Sequence, residues 1–348
     1  MKTPSIVSLT ATIIIAAATA QVSAQDVTFT DAERVPLSCD NQFTVNDLAT
    51  LKPTAPDDEI TIAVSVPSFA NPYIQSLIYG AEKAAKEVGV KLTVGAGRGF
   101  MDPGSQISQL ESAATRRPDA VLINPADPAG LAAAIDDVVA SGIPVVDIGT
   151  LSMSENSYKL VQDDYSQGQV AAKAVIEHFQ SGGKGVIVAG PANASWSRGR
   201  TAGFTDALAD SSIEVSSIVW SDLDPQQALT RFSNAIQTDP EVDWIYATGS
   251  FLLAPQSLPA EYADTFYLGG TLTNVSAAGL QEGTANLILP DFPVAVGYLG
   301  VVLALKALAG EDLAKVNCLP NEVMGKDNLE EPVWSDASFV PADWKAPE

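Results

Sequence analysis

Two α/β lobes with a cleft between them are the fold this sequence predicts, and three observations carry that expectation. From Glu59 onward, short apolar runs rich in β-branched residues alternate with amphipathic stretches of helical period. Such alternation builds βαβ units around a parallel sheet. It runs as two successive series, broken by the less regular "SYKLVQDD" at 157–164. Finally, about 320 residues follow the expected leader, more than one compact core holds.

The chain opens "MKTPSIVSLTATIIIAAATAQVSAQDV", with Lys2, an Ala/Ile-rich apolar stretch, and "VSA" before Gln25. That is the pattern of a cleavable secretory signal over residues 1–24, too short and too Ala/Thr-rich for a membrane span. No cysteine follows the cleavage point, so a lipid anchor is not expected there. Residues 25–58 are Pro/Asp-rich, end in "LKPTAPDDE", and read as an irregular extension and linker.

The first series then begins. "ITIAVSV" is a buried strand, and "NPYIQSLIYGAEKAAKEVG" a helix with Pro72 in its first turn and Gly89 as its stop. Strand "VKLTV", helix "GSQISQLESAATRR", strand "AVLIN", helix "PAGLAAAIDDVVASG" and strand "PVVDIG" follow. The second series runs from helix "SQGQVAAKAVIEHFQ" through strand "GVIVAG", helix "RGRTAGFTDALAD", strand "EVSSIVW", helix "PQQALTRFSNAIQ" and strand "VDWIYAT". Strand "FYLGG", helix "VSAAGLQEG", strand "ANLILP" and helix "VAVGYLGVVLALKALAG" complete it. Ligands of open parallel sheets sit beyond the carboxyl ends of the strands. The positions to examine are therefore Ser68–Tyr73, Asn124, Gly149–Thr150, Pro191–Arg200, Gly249–Phe251, Gly270–Thr271 and Asp291.

Composition removes several functions. A formal charge of −23 argues against nucleic acid and anionic membranes as partners. The single histidine, His178, lies in a helical stretch as a packed or solvated side chain, which leaves no Ser-His-Asp triad, Cys-His pair or His-rich metal site. "VGAGRGF" spaces Gly95, Gly97 and Gly99 as G-x-G-x-G with Pro103 before the next helix, which is a turn and not a dinucleotide fingerprint. There is no Walker loop, G-x-S-x-G or paired-cysteine motif, so no cofactor, metal or catalytic residue is expected. Asp163, Asp164 and Asp291 have no partnered nucleophile to make an enzyme of them. Cys39 and Cys318 are an even pair in an exported chain and are expected to form a disulfide, the alternative being two separate buried thiols.

"ANASWSRGRTAGF" (192–204) puts two arginines and a tryptophan within five residues after a buried strand. Residues four apart share a helix face and residues two apart do not. Trp196 and Arg200 therefore face the cleft together if the helix starts by about Trp196, and Arg198 then points to solvent. A helix N-terminus and a five-donor guanidinium suit a ligand rich in acceptor oxygens. Arg200 as a structural ion pair, and Trp196 as a cover for the lobe edge, are the plainer alternatives.

"NPYIQSLIYGAEKAAKEVGVKLTV", "DAVLINPADPAGLAAAIDDVVASGIPVV", "GQVAAKAVI" and "RTAGFTDAL" resemble the sugar-type, ribose-binding-like type I periplasmic solute-binding proteins, from about Ile60 to Gly310. The resemblance implies two Rossmann-like lobes joined by a hinge of three segments: residues 59–163 with 292–317 as lobe one, 164–291 as lobe two, and 318–348 as a C-terminal extension. It implies a monomer in the periplasm that closes on a small solute and delivers it to an ABC permease. Matching positions make Asn71 a polar ligand contact, Tyr73 a stacking aromatic, Arg200 the ligand-binding arginine and Asp291 a polar contact at the last crossing. With Phe69, Trp196 and Thr271 from the strand ends, these are the candidate ligand-binding residues.

The departures bear on the ligand. Where the family's sugar binders carry Asp-Arg, this chain has Gly149-Thr150; its second aromatic is Ile74, its Asn-Asp is Gly249-Ser250, and its later Asp is Thr271. Losing these hydroxyl partners argues against an ordinary hexose or pentose and for a smaller polyol, a short oxygen-rich molecule or an amine oxide. "PSFANPYIQSLIYG", "GPANA…GF" and "GLQEGTANLILPD" are more loosely similar to the periplasmic sensor protein of the trimethylamine N-oxide respiratory system, which implies a sensor kinase as the alternative partner.

Overall fold

Helices end where local chemistry ends them. A computed structural model describes residues 28–347, so the leader expected at 1–24 lies outside the described residues. In chain order the elements are β1 (Asn41–Gln42), α1 (Val45–Thr50), β2 (Thr61–Val66), α2 (Pro72–Val88), β3 (Lys91–Ala96), α3 (Pro103–Thr115), β4 (Ala120–Ile123), α4 (Ala132–Ala140), β5 (Val145–Gly149) and β6 (Tyr158–Val161). There follow α5 (Asp164–His178), β7 (Gly183–Ala189), α6 (Ser195–Ala207), β8 (Ile213–Trp220), α7 (Pro225–Thr238), β9 (Trp244–Ala247), β10 (Phe266–Gly270), α8 (Asn274–Glu282), β11 (Leu287–Leu289), α9 (Pro293–Leu308), β12 (Val316–Cys318) and α10 (Pro332–Asp336). Asn71 caps α2 by accepting from the amides of Tyr73 and Ile74, Pro72 sits in its first turn, and Gly89 closes it at φ 74°.

The strands form two sheets of parallel pairs, ordered β1-β12-β6-β5-β4-β2-β3 and β11-β10-β9-β7-β8. Both are covered on both faces, which period-two alternation makes possible. Ile62, Val64, Leu122, Val146 and Ile148 pack on α2 and α9, while Ala63, Val121, Ile123 and Val145 pack on Leu110 of α3 and Ile135 of α4. In the second sheet Ile187, Trp244, Tyr246 and Leu268 face α5 and α6, and Val186, Val188, Ile245 and Tyr267 face Phe232 of α7 and Leu280 of α8. The chain passes between the sheets near Gln162–Asp163, near Asp291–Phe292 and beyond Leu319. Two of these passages are tied together: Gln162 donates to the Pro320 carbonyl (2.9 Å) and Asn321 to the Asp163 carbonyl (3.0 Å).

Two stretches differ from the reading above. "SYKLVQDD" holds a strand, β6, because Lys159 is buried by four hydrogen bonds, to Asp147, Ser152, Ser157 and the Ser154 carbonyl. The extension at 25–58, expected to be irregular, contains β1 and the short α1, capped reciprocally by Thr44 and Asp47. Short polar elements of this kind have no hydrophobic period to announce them. β1 pairs with β12, and Cys39 and Cys318 lie side by side with Cα atoms 5.8 Å apart, the spacing of a disulfide.

Candidate functional site

The ends of both sheets and the first turns of α2 and α6 converge on a chamber of about 40 Å³. Its wall is Asn71, Tyr73, Phe100, Asn124, Gly149, Thr150, Trp196, Arg200, Leu223, Phe251, Thr271 and Asp291. Asn71, Phe100, Leu223 and Phe251 also line a wider antechamber of about 460 Å³, where Met101 stands exposed. A separate groove of about 490 Å³ opens between α2, α7 and residues 338–346. Among the described residues it has no charged side chain in its wall, so the charged chemistry lies in the smaller chamber.

Arg200 organises the chamber and is 5% exposed. Helix α6 begins at Ser195, so Trp196 and Arg200 fall one turn apart on the face toward the chamber, the guanidinium 5.4 Å from the indole centroid. Nε donates to Asp164 (2.9 Å), and Nη1 to the Thr248 carbonyl (2.9 Å) and to Asp291 (3.2 Å). Nη2 carries no bond among the described residues, leaving a donor for a solute. Asp291 is itself held by Gln167 (2.8 Å) and Thr271 (2.5 Å). Glycine allows this approach: a Cβ at Gly168 would overlap the Arg200 carbonyl, and one at Gly203 that of Tyr165, so α5 and α6 pack backbone to backbone.

Burial pushes the Asp164 carboxyl up to about 6, against the pull of Arg200, with Asp291 and Asp163 raising it further. Burial works against the Arg200 charge, but Asp291 and Asp164 outweigh it and hold the guanidinium protonated. The Tyr73 hydroxyl is raised, chiefly by burial and then by Asp291, and stays neutral. Strain accompanies the polar cluster: Thr271 (φ 66°) and Phe292 (φ 50°), on either side of Asp291 in the chamber wall and the last crossing, occupy the left-handed region that a β-branched or bulky residue avoids.

Six of the seven candidate residues meet here; Phe69 does not. The Ser68 hydroxyl accepts from the Ala70 amide and Gln75 donates to the Phe69 carbonyl, which folds the loop back and packs the ring on the hydrophobic core. Asn71 spends its carbonyl oxygen on the cap, so only its amide NH2 is left for a solute. Gly149, at φ 78°, admits the Tyr73 hydroxyl into the space its own side chain would fill, which explains one departure from the sugar-binding pattern. Ile74 is core, and Ser250 is turned to the Thr271 carbonyl. Arg198 does not point to solvent: it grips Glu33, donates to the Thr28 carbonyl (2.8 Å) and stacks over Phe29 and Trp220. The extension folded onto α6 captures it, a contact that helical spacing does not encode. His178 stacks on Phe266 at the far end of α5 (4.2 Å).

Phe100 and Leu223 join the wall without having stood among the strand-end positions, because each lies three or four residues beyond its strand. Asp164 and Gln167 act on Arg200 and Asp291 from the first turn of α5. The signal for them was present as "QDDYSQGQ" after a strand-like run. Among the described residues no cluster of His, Cys, Asp or Glu could hold a metal, and no helix is long and apolar enough to cross a membrane.

Comparison with known proteins agrees with this architecture. The model of the periplasmic binding protein domain matches residues 62–312. The ribose import binding protein RbsB of Bacillus subtilis is 27% identical over 265 residues, covering 75% of this chain and 86% of that one. The periplasmic protein TorT of Escherichia coli is 22% identical, covering 71% of this chain and 72% of its own. A sugar ABC transport substrate-binding protein of Bordetella parapertussis superposes with a TM-score of 0.79 at 19% identity, over 86% of this chain and 99% of that one.

Proposed function

The chain belongs to the periplasmic binding protein family, whose members bind solutes and do not transform them, and from that premise we propose an import receptor. It takes a small polar solute, sugar-like or a smaller polyol, into the chamber around Arg200 and delivers it to an ABC permease. The observation that carries the reading is the convergence of Tyr73, Trp196, Arg200, Thr271 and Asp291 from both sheets on one chamber. Hydrogen bonds donated by Arg200 Nη2, the Asn71 amide and the Thr150 hydroxyl, and accepted by the side-chain amide oxygen of Asn124, whose NH2 is held by the Ile148 carbonyl and Thr150, would orient hydroxyls while the rings pack on C–H faces. Closing two lobes on such a solute is the expected motion.

A chamber of about 40 Å³ has room for a few water-sized groups, which favours a solute smaller than a pyranose in this state. The import reading rests also on the match to a ribose import protein, and it is preferred over the sensor reading, whose relative is more distant. The same proposal includes export through a leader at residues 1–24, residence in the periplasm as a monomer, and a Cys39–Cys318 disulfide. Residues Asn71, Tyr73, Trp196, Arg200, Thr271 and Asp291 are the proposed ligand set; Phe69, expected among them, packs its ring on the core instead. A thermal-shift screen of polyols and sugars tests it, because a solute that binds only the folded state raises the melting temperature. A hit that survives Arg200→Lys undiminished would contradict the placement of the site.

A further inference from the structure

The electrical balance of the chamber is not neutral. Among the described residues its wall holds two charged side chains, Arg200 and Asp291. Arg200 is shared with a second carboxylate, Asp164, at 2.9 Å, so one guanidinium answers two carboxylates. Among the described residues no lysine or histidine stands in the wall to supply the missing positive charge. At neutral pH the buried cluster therefore carries one unit of negative charge, in a site where low polarisability strengthens every interaction.

The rest of the wall favours the same sign. Tyr73, Phe100, Trp196 and Phe251 bring four aromatic rings to a space of about 40 Å³, and ring faces attract cations. Trp196 already presents a face to a guanidinium, 5.4 Å away. The whole chain, at −23, concentrates cations near its surface. Opposing this, α6 starts without a side-chain cap, and its free amides prefer acceptor oxygens. A solute with hydroxyls and one positive charge satisfies both sets of partners. A carboxylate would meet the amides and Arg200 but also two carboxylates already in place.

We propose that the solute is a small amine-bearing polyol, bound as its ammonium cation; this rests on the chamber being the solute site. The ammonium supplies the charge that Arg200 alone does not, and the hydroxyls take Arg200 Nη2, Asn71, Asn124 and Thr150. The charged groups that decide it are Asp164 on α5, Arg200 on α6 and Asp291 at the last crossing, with the neutral hydroxyls of Tyr73 on α2 and Tyr246 on β9 packed beside them; Asp163, next to Asp164, is turned to the Ser166 amide as the cap of α5. Protonation of Asp164 as pH falls through about 6 removes the excess negative charge, so the preference for a cation weakens on acidification.

Two matched series test this by melting-temperature shift and isothermal titration on the full mature chain at pH 7.5. One is glycerol, 2-amino-1,3-propanediol and glycerate; the other is D-glucose and D-glucosamine. The expected result is that the amine of each series that enters binds at least about tenfold more tightly than its neutral partner, the size of a charge-assisted hydrogen bond. Asp164→Asn and, separately, titration at pH 5 should each shrink that ratio severalfold, with the unliganded melting temperature recorded to show that the variant is folded. Equal or tighter binding of the neutral member, or preference for glycerate, overturns the cation while leaving solute import intact. If no member and no solute of a broad sugar and polyol panel raises the melting temperature, both the inference and the proposed function fail.

Discussion

On one face of α6, Arg200 is buried between Asp164 and Asp291 at the wall of a chamber; on the other, Arg198 holds Glu33 and the Thr28 carbonyl of the N-terminal extension. The two arginines are two residues apart and each is paired with acid, yet the pairs differ in what surrounds them. Arg200 is 6% exposed at its side chain and faces two carboxylates; Arg198 is 21% exposed and faces one. The first arrangement keeps a donor free and leaves an excess of negative charge. The second is a clasp, sandwiched by Phe29 and Trp220, that fastens a strand-poor segment to the second sheet's helix layer. Two arginines two residues apart thus differ in burial and in number of carboxylate partners, which their distance along the chain does not encode.

Removing Arg200 should break the comparison most severely. Arg200→Ala leaves Asp164 and Asp291 facing each other without a cation, at a cost of about 3–5 kcal/mol read by chemical denaturation. Arg200→Lys keeps the charge and loses the fork, and should weaken solute binding at least about tenfold in calorimetry with a smaller stability loss. If both variants bind as the parent does, the solute does not use this arginine.

The disulfide comes next. The extension is held at two points, by Arg198 on one sheet's helices and by Cys39 beside Cys318 on the other sheet. The double substitution Cys39→Ser, Cys318→Ser should cost about 2–4 kcal/mol in thermal or denaturant unfolding. An unchanged stability, together with free thiols in the parent, would mean that the bond does not form. Arg198→Ala should cost less, about 1 kcal/mol, and expose the chain near Arg34 to proteolysis while leaving solute affinity within about twofold.

Acidity separates the two faces by sign, with effects on the order of 1 kcal/mol or less after solvent screening. Asp164 has its folded pKa raised from 3.8 to about 6, so the folded state binds the proton more tightly and this group's contribution to stability grows as pH falls through 6 toward 3.8. Glu33 is held below its ordinary 4.5, chiefly by its hydrogen bond from Arg198, so its contribution is full above 4.5 and is lost as pH falls through the lowered value. Melting curves of Asp164→Asn and Glu33→Gln against pH should therefore differ from the parent in opposite directions. Parallel curves would contradict the contrast.

Most of the fold was legible, since β2, α2, β4, α4 and the second series have clean periods of 2 or 3.6 residues. β6 and the extension were not, because Lys159 is buried by hydrogen bonds and β1 is fixed by pairing with residues 276 positions later, and neither leaves an apolar pattern. At the site, helical spacing placed Trp196 and Arg200 together, and the strand-end rule marked Asn124, Gly149, Thr150 and Phe251. The ionic ledger was not legible: that Asp164 reaches Arg200 depends on glycine-mediated packing of α5 on α6, a contact between elements whose charges sit 36 positions apart. Arg198 was misread for a similar reason, its partner lying 165 positions away.

The most direct test of the account is a side-by-side titration of one solute hit into the parent, Arg200→Lys and Arg198→Ala. Binding at least about tenfold weaker in Arg200→Lys and within about twofold of the parent in Arg198→Ala is the predicted result. Equal losses in both variants, or a loss only in Arg198→Ala, would place the solute elsewhere than in the chamber around Arg200.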